Sequence, residues 1–76
     1  MKQPLGMLIK QIVDEQERSV TWFAGKLFLD RSCVYRIFRK NSIDTELLMR
    51  ISVVLNHDFF ADLSRDFTNR QISQQK

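Results

Sequence analysis

Cysteine occurs once in the 76 residues, at Cys33, and histidine once, at His57. A single thiol closes no disulfide, and one thiol with one imidazole cannot furnish the four ligands of a zinc site within one chain. The fold must therefore rest on its core alone. No apolar run exceeds three residues, too short for a membrane span or for the apolar stretch of a secretory signal, so a soluble, intracellular chain is expected. Proline appears only as Pro4 and glycine only as Gly6 and Gly25, which leaves too few chain breakers for a turn-rich β architecture. Catalytic groupings are missing too. Asp14, Glu15 and Glu17 point in different directions on a helix, with no His or Cys at ligand spacing, and read as solvated surface. About sixty structured residues leave little room for a ligand-sized cavity beside a core. No enzyme, cofactor, metal or small-molecule ligand is expected.

Apolar residues at spacings of three and four are abundant, and they predict an all-α domain. A first helix starts near Pro4, suited to a first helical position, and runs to about Gln16 with Leu5, Ile9 and Val13 on one stripe beside Leu8 and Ile12. Ser19 can cap a second helix of about two turns, whose Phe23, Ala24 and Leu27 face inward. Asp30 can cap a third, with Val34, Ile37 and Phe38 on its apolar side. Asn41 and Ser42 read as a turn, after which Ser42 or Asp44 caps a fourth helix carrying Leu47, Leu48, Ile51, Val54 and Leu55. Asn56, His57 and Asp58 break the pattern before a short fifth helix presents Phe59, Phe60 and Leu63. Residues 64–76 are polar, with Phe67 and Ile72 too sparse to support folding alone, and are expected as a frayed tail, or one engaged in dimer contacts.

The net charge of +3 hides a strong asymmetry. Residues 18–42 hold Arg18, Lys26, Arg31, Arg36, Arg39 and Lys40 against Asp30 alone. Such a segment suits a polyanion, since each neutralised phosphate releases condensed counterions; it also suits a merely solvated basic face. Wheel spacing sharpens the point. Arg31, Ser32, Tyr35, Arg36 and Arg39 share the side of the third helix opposite Val34, Ile37 and Phe38. Arginine on an exposed helix can bond guanine O6 and N7 bidentately in the major groove, and tyrosine can reach phosphates.

The order of these features resembles a helix-turn-helix. Counting from Val20, apolar residues at steps four, eight, ten, fifteen and eighteen (Phe23, Leu27, Leu29, Val34 and Ile37), with Ala24 at step five, match that motif's steric pattern. Together with Leu5, Gly6, Ile9 and Lys10 before it, and Ile43, Leu47, Leu48, Ile51 and Leu55 after it, the chain from about residue 4 to 63 is similar to the Cro/cI-type domains of phage and bacterial regulators, the XRE family. The resemblance implies a compact five-helix lambda-repressor-like domain over residues 1–63, with the motif at helices two and three. It also implies a cytoplasmic, nucleoid-associated bacterial transcription regulator that binds double-stranded DNA, commonly as a homodimer on a palindromic operator. Carried over by position, base reading falls on Arg31, Ser32 and Arg36. Backbone contacts fall on Thr21 with the amide of Val20, on Tyr35 beside the reading face, and on Arg39, Lys40 and Asn41 in the following loop. Lys10 matches a basic position of the first helix. Two positions depart from the family pattern. Phe28 stands where the turn usually has Gly, so a Phe must take or avoid a left-handed conformation, at about 1 to 2 kcal/mol; Phe38 stands where many members have Glu.

A second class of function is an antitoxin-like or adaptor module in which the aromatic C-terminal helix binds a partner chain. Single-stranded RNA is less well supported, because Trp22 and Tyr35 do not form a stacking platform on a sheet. Trp22 is expected as a packing residue, Cys33 as a small filler near the groove-facing edge, and His57 as a surface or capping residue without a partner set.

Overall fold

A computed structural model describes the backbone of residues 4–74 and the side chains of residues 4–69. Its helices are α1 (Leu5–Glu15), α2 (Val20–Leu27), α3 (Arg31–Phe38), α4 (Thr45–Leu55) and α5 (Phe59–Gln74), with no strand among the described residues. The all-α expectation holds.

Each helix contributes one stripe to a single core. Leu5, Ile9 and Val13 come from α1, Phe23, Ala24 and Leu27 from α2, Val34, Ile37 and Phe38 from α3, Leu48, Ile51 and Leu55 from α4, and Phe59 from α5. All lie within the sets that periodicity selects, at about 1.5 to 3 kcal/mol per large side chain removed from water. Leu8, Ile12, Leu47, Val54, Phe60 and Leu63 flank this core half-buried. No buried side-chain nitrogen or oxygen is left without a partner among the described residues.

Side chains start the helices. Ser19 Oγ accepts from the Trp22 N–H at 3.0 Å, Asp44 Oδ1 from the Leu47 N–H at 2.8 Å, and Asp58 Oδ1 from the Ala61 N–H at 3.0 Å, each satisfying a first-turn donor that has no helical acceptor. Asp44 rather than Ser42 is thus the cap of α4. Pro4 takes the cap position of α1 rather than its first helical position. Asp30 stands at the cap position of α3 but makes no side-chain capping bond, so it acts there only as a negative charge at a helix N-terminus.

The ends of α1, α2 and α4 share one device. A left-handed residue follows each: Glu17 at φ 57°, Phe28 at φ 57° and Asn56 at φ 51°. The next amide reaches back across the last turn, Arg18 N–H to Val13 O at 3.1 Å, Leu29 N–H to Ala24 O at 2.9 Å, and His57 N–H to Ser52 O at 3.0 Å. These are Schellman closures in which none of the three uses glycine. Phe28 adopts the left-handed conformation and leaves 89% of its surface in solvent. Replacing it with Gly removes a backbone cost of about 1 to 2 kcal/mol while restoring about 0.5 to 1 kcal/mol of unfolded-chain entropy. Phe28→Gly is therefore expected to raise stability by about 0.5 to 1 kcal/mol, or about 2 to 8 °C in Tm. A drop in Tm by calorimetry would show that the exposed ring contributes packing that its accessibility denies.

Two long polar reaches lock helix ends to one another. Arg50 Nη2 of α4 donates to Leu27 O at the end of α2 at 2.6 Å, and Gln16 Nε2 donates to Leu55 O at the end of α4 at 2.6 Å. Both satisfy carbonyls that a terminating helix leaves open. At the other end of the core, the amide of buried Gly6 donates to Lys40 O at 2.9 Å, so the start of α1 is seated against the loop that follows α3.

The fifth helix departs from expectation. It runs sixteen residues rather than being short, and residues 64–74, read from the sequence as a frayed tail, are helical; residues 75 and 76 lie outside the described residues. Burial does fall away beyond Leu63, where Ser64, Arg65, Phe67, Thr68 and Asn69 are exposed. Over residues 64–69 the helix buries no apolar side chain, so a search for apolar faces has nothing there to register.

Candidate nucleic-acid interface

The apolar positions of α3 fix what its other side presents. Val34, Ile37 and Phe38 are buried, with the Phe38 ring stacked on Phe23 of α2 at 6.3 Å between centroids and the Tyr35 ring meeting Phe38 edge-on at 6.4 Å. With that side anchored, helical geometry turns Arg31, Ser32, Tyr35 and Arg36 outward, and all four are exposed. Arg39, Lys40 and Asn41 continue the exposed stretch from the end of α3 into the loop, and Thr21 is exposed in the first turn of α2. The structure thus puts Arg31, Ser32, Tyr35, Arg36 and Arg39 together along one helix and its cap, while Thr21 belongs to a separate element.

The electrostatics of this face are one-sided. Among the described residues, no carboxylate lies within ion-pairing distance of Arg31, Arg36, Arg39 or Lys40. Two of the guanidiniums are oriented by their own helix: Arg36 Nη2 donates to Cys33 Sγ at 3.5 Å, and Arg39 Nε donates to Tyr35 O at 3.4 Å. Cys33, half-buried, thus accepts a bond from the exposed Arg36. Lys10 does not join this face by charge. It pairs with Asp14 one turn along α1 at 3.1 Å, an acceptor that i, i+4 spacing supplies locally.

Two clusters escaped the sequence reading. Arg18 lies over the Trp22 ring at 4.3 Å and Lys26 approaches the same ring at 5.9 Å; the spacing of four residues on each side of Trp22 was the available signal. His57 is not partnerless. Its Nε2 lies 2.7 Å from Asp62 Oδ2, its ring is 4.5 Å from Phe59, and Asp62 also binds Arg65. That contact spans the bend between α4 and α5, where no periodic rule places a pair. Residue by residue, Asp62 is 12% exposed and His57 31%, so the cluster is a half-buried brace of the α4–α5 corner.

No group of three or more potential metal ligands occurs among the described residues, and no helix there is long and apolar enough to cross a membrane. Concavities are open surface grooves. One of them is lined by Met49, Val53 and Phe60 together with Ser52, Asn56, His57 and Asp58. Comparison with protein-family models, with curated proteins and with solved structures gave no match to the chain.

Proposed function

We propose that this protein binds double-stranded DNA sequence-specifically and regulates transcription, with α2 and α3 serving as a helix-turn-helix of the Cro/cI type and α3 entering the major groove. One observation carries the reading: Arg31, Ser32 and Arg36 project from one exposed face of a core-anchored helix, with no acid pairing the cations among the described residues. In a major groove those three side chains read base edges. Thr21, Tyr35, Arg39, Lys40 and Asn41 hold phosphates and set the register. The left-handed Phe28 between α2 and α3 supports the same reading, because it takes the conformation for which the motif's turn usually uses Gly. A homodimer on a palindromic operator, in a bacterial cytoplasm, completes the proposal.

Salt dependence tests it. With Arg39 and Lys40 of each protomer neutralising phosphates, log Kd against log salt for a selected duplex is expected to rise with a slope of about 2 per bound protomer, or about 4 for a dimer. A slope below 1, or equal affinity for all duplexes in a random-sequence selection, overturns it. The Met49, Val53 and Phe60 groove favours one other reading, an antitoxin-like or adaptor module, for which the slope with DNA is flat.

A further inference from the structure

From the Arg18, Trp22 and Lys26 cluster we infer a second binding site, separate from the α3 face, for a short acidic segment of a partner protein that carries an apolar residue beside its carboxylates. The site is a groove of about 470 Å³ where three helix ends meet. Gln16 and Arg18 line it from the α1–α2 connection, Trp22 from α2, and Val54, Leu55 and Asn56 from the end of α4. No acidic residue is among these, and among the described residues neither Arg18 nor Lys26 has a carboxylate within ion-pairing distance.

The chemistry follows from the stacking. A guanidinium held over an indole face gains cation–π attraction and loses rotamer freedom, while its N–H groups can still donate to a carboxylate. The Arg18 guanidinium carbon lies 4.3 Å from the ring centre, and Lys26, which does not line the groove, brings a second positive charge to 5.9 Å from the same ring. Arginine held in advance binds a carboxylate with two parallel bonds and little further ordering cost. Beside these cations, the half-buried Trp22 and Val54 offer apolar surface. Carboxylates next to an aliphatic or aromatic side chain satisfy both halves of the groove, whereas a phosphodiester backbone has nothing to bury on Trp22 and Val54. No residue of α3 or of the 39–41 loop lines the groove, so occupancy here does not require the DNA-reading face.

Trp22 is the one tryptophan of the chain, which makes its emission a direct reporter. The whole protein is titrated with a synthetic peptide alternating glutamate and leucine, with its lysine–leucine counterpart, and with the first peptide again in the presence of saturating duplex DNA. A saturable change in Trp22 emission is expected with the glutamate peptide alone, weakened at least tenfold in Arg18→Gln and less in Lys26→Gln. Both substituted side chains are exposed, and circular dichroism verifies that the variants remain folded. The same affinity is expected with duplex present. The inference is overturned by no saturable change, by equal response to the lysine peptide, by full retention of binding in Arg18→Gln, or by displacement of the peptide by duplex. The last outcome assigns the groove to a nucleic-acid face. Loss of DNA binding in the salt titration leaves this result untouched, so the two readings fail separately.

Discussion

Gly6→Ala is expected to destabilise the protein by about 3 kcal/mol or more, lowering Tm by at least about 12 °C. A Cβ built on Gly6 stands 2.7 Å from both the carbonyl carbon and oxygen of Phe38, and closer still to Ile37 O. These are backbone atoms at the C-terminal end of α3, so no rotamer change relieves the clash. The start of α1 must move off α3, which also lengthens the Gly6 N–H to Lys40 O bond of 2.9 Å, worth about 1 kcal/mol. Gly25 provides the control within the same fold. It lies exposed inside α2, and a Cβ there meets nothing within 4 Å. Gly25→Ala is expected to stabilise by about 0.5 to 1 kcal/mol, since only helix entropy changes. Urea denaturation of the two variants should give shifts of opposite sign. A loss under 1 kcal/mol for Gly6→Ala would mean that α1 and α3 do not approach as closely as described.

Arg36→Ala is expected to weaken binding to a selected operator by about 1 to 3 kcal/mol, about 5- to 150-fold in Kd, and to relax base preference at one position of each half-site. The side chain is exposed and makes no ion pair among the described residues, so its removal should leave thermal stability within about 0.5 kcal/mol of the parent. Lys40→Ala separates base reading from phosphate contact. It should weaken all duplexes alike and lower the salt slope by about 1 per protomer. Unchanged operator affinity in Arg36→Ala, measured by anisotropy at fixed salt, removes Arg36 from the reading face. A uniform loss over all sequences instead makes it a phosphate contact.

The two variants probe different kinds of information. The outward direction of Arg36 was readable from spacing, because Val34, Ile37 and Phe38 demand one side of α3 and leave the other to Arg31, Ser32, Tyr35 and Arg36. The same logic identified every buried apolar residue among the described ones, but not its depth: Leu8, Ile12 and Leu47 carry the same periodicity as Leu5, Ile9 and Leu48 and remain half-buried. The special demand on Gly6 was not readable. Nothing in the order of residues tells that the end of α3 passes within van der Waals contact of α1. Lys10, which matches a basic position of the first helix, pairs with Asp14 on its own helix, a contact that i, i+4 spacing made readable.

By itself the amino-acid order determined the helical class, the number of helices, most of their starts and the sidedness of α3, because these follow from local hydrogen bonding and from a 3.6-residue repeat of apolar side chains. Only the tertiary structure decided the left-handed Phe28, the seat of Gly6 against α3, the Arg50 and Gln16 reaches to foreign helix ends, the His57 and Asp62 brace, and the groove around Trp22. Each of these depends on where two helix termini meet in space, and that meeting is set by the packing of the whole core rather than by any one segment.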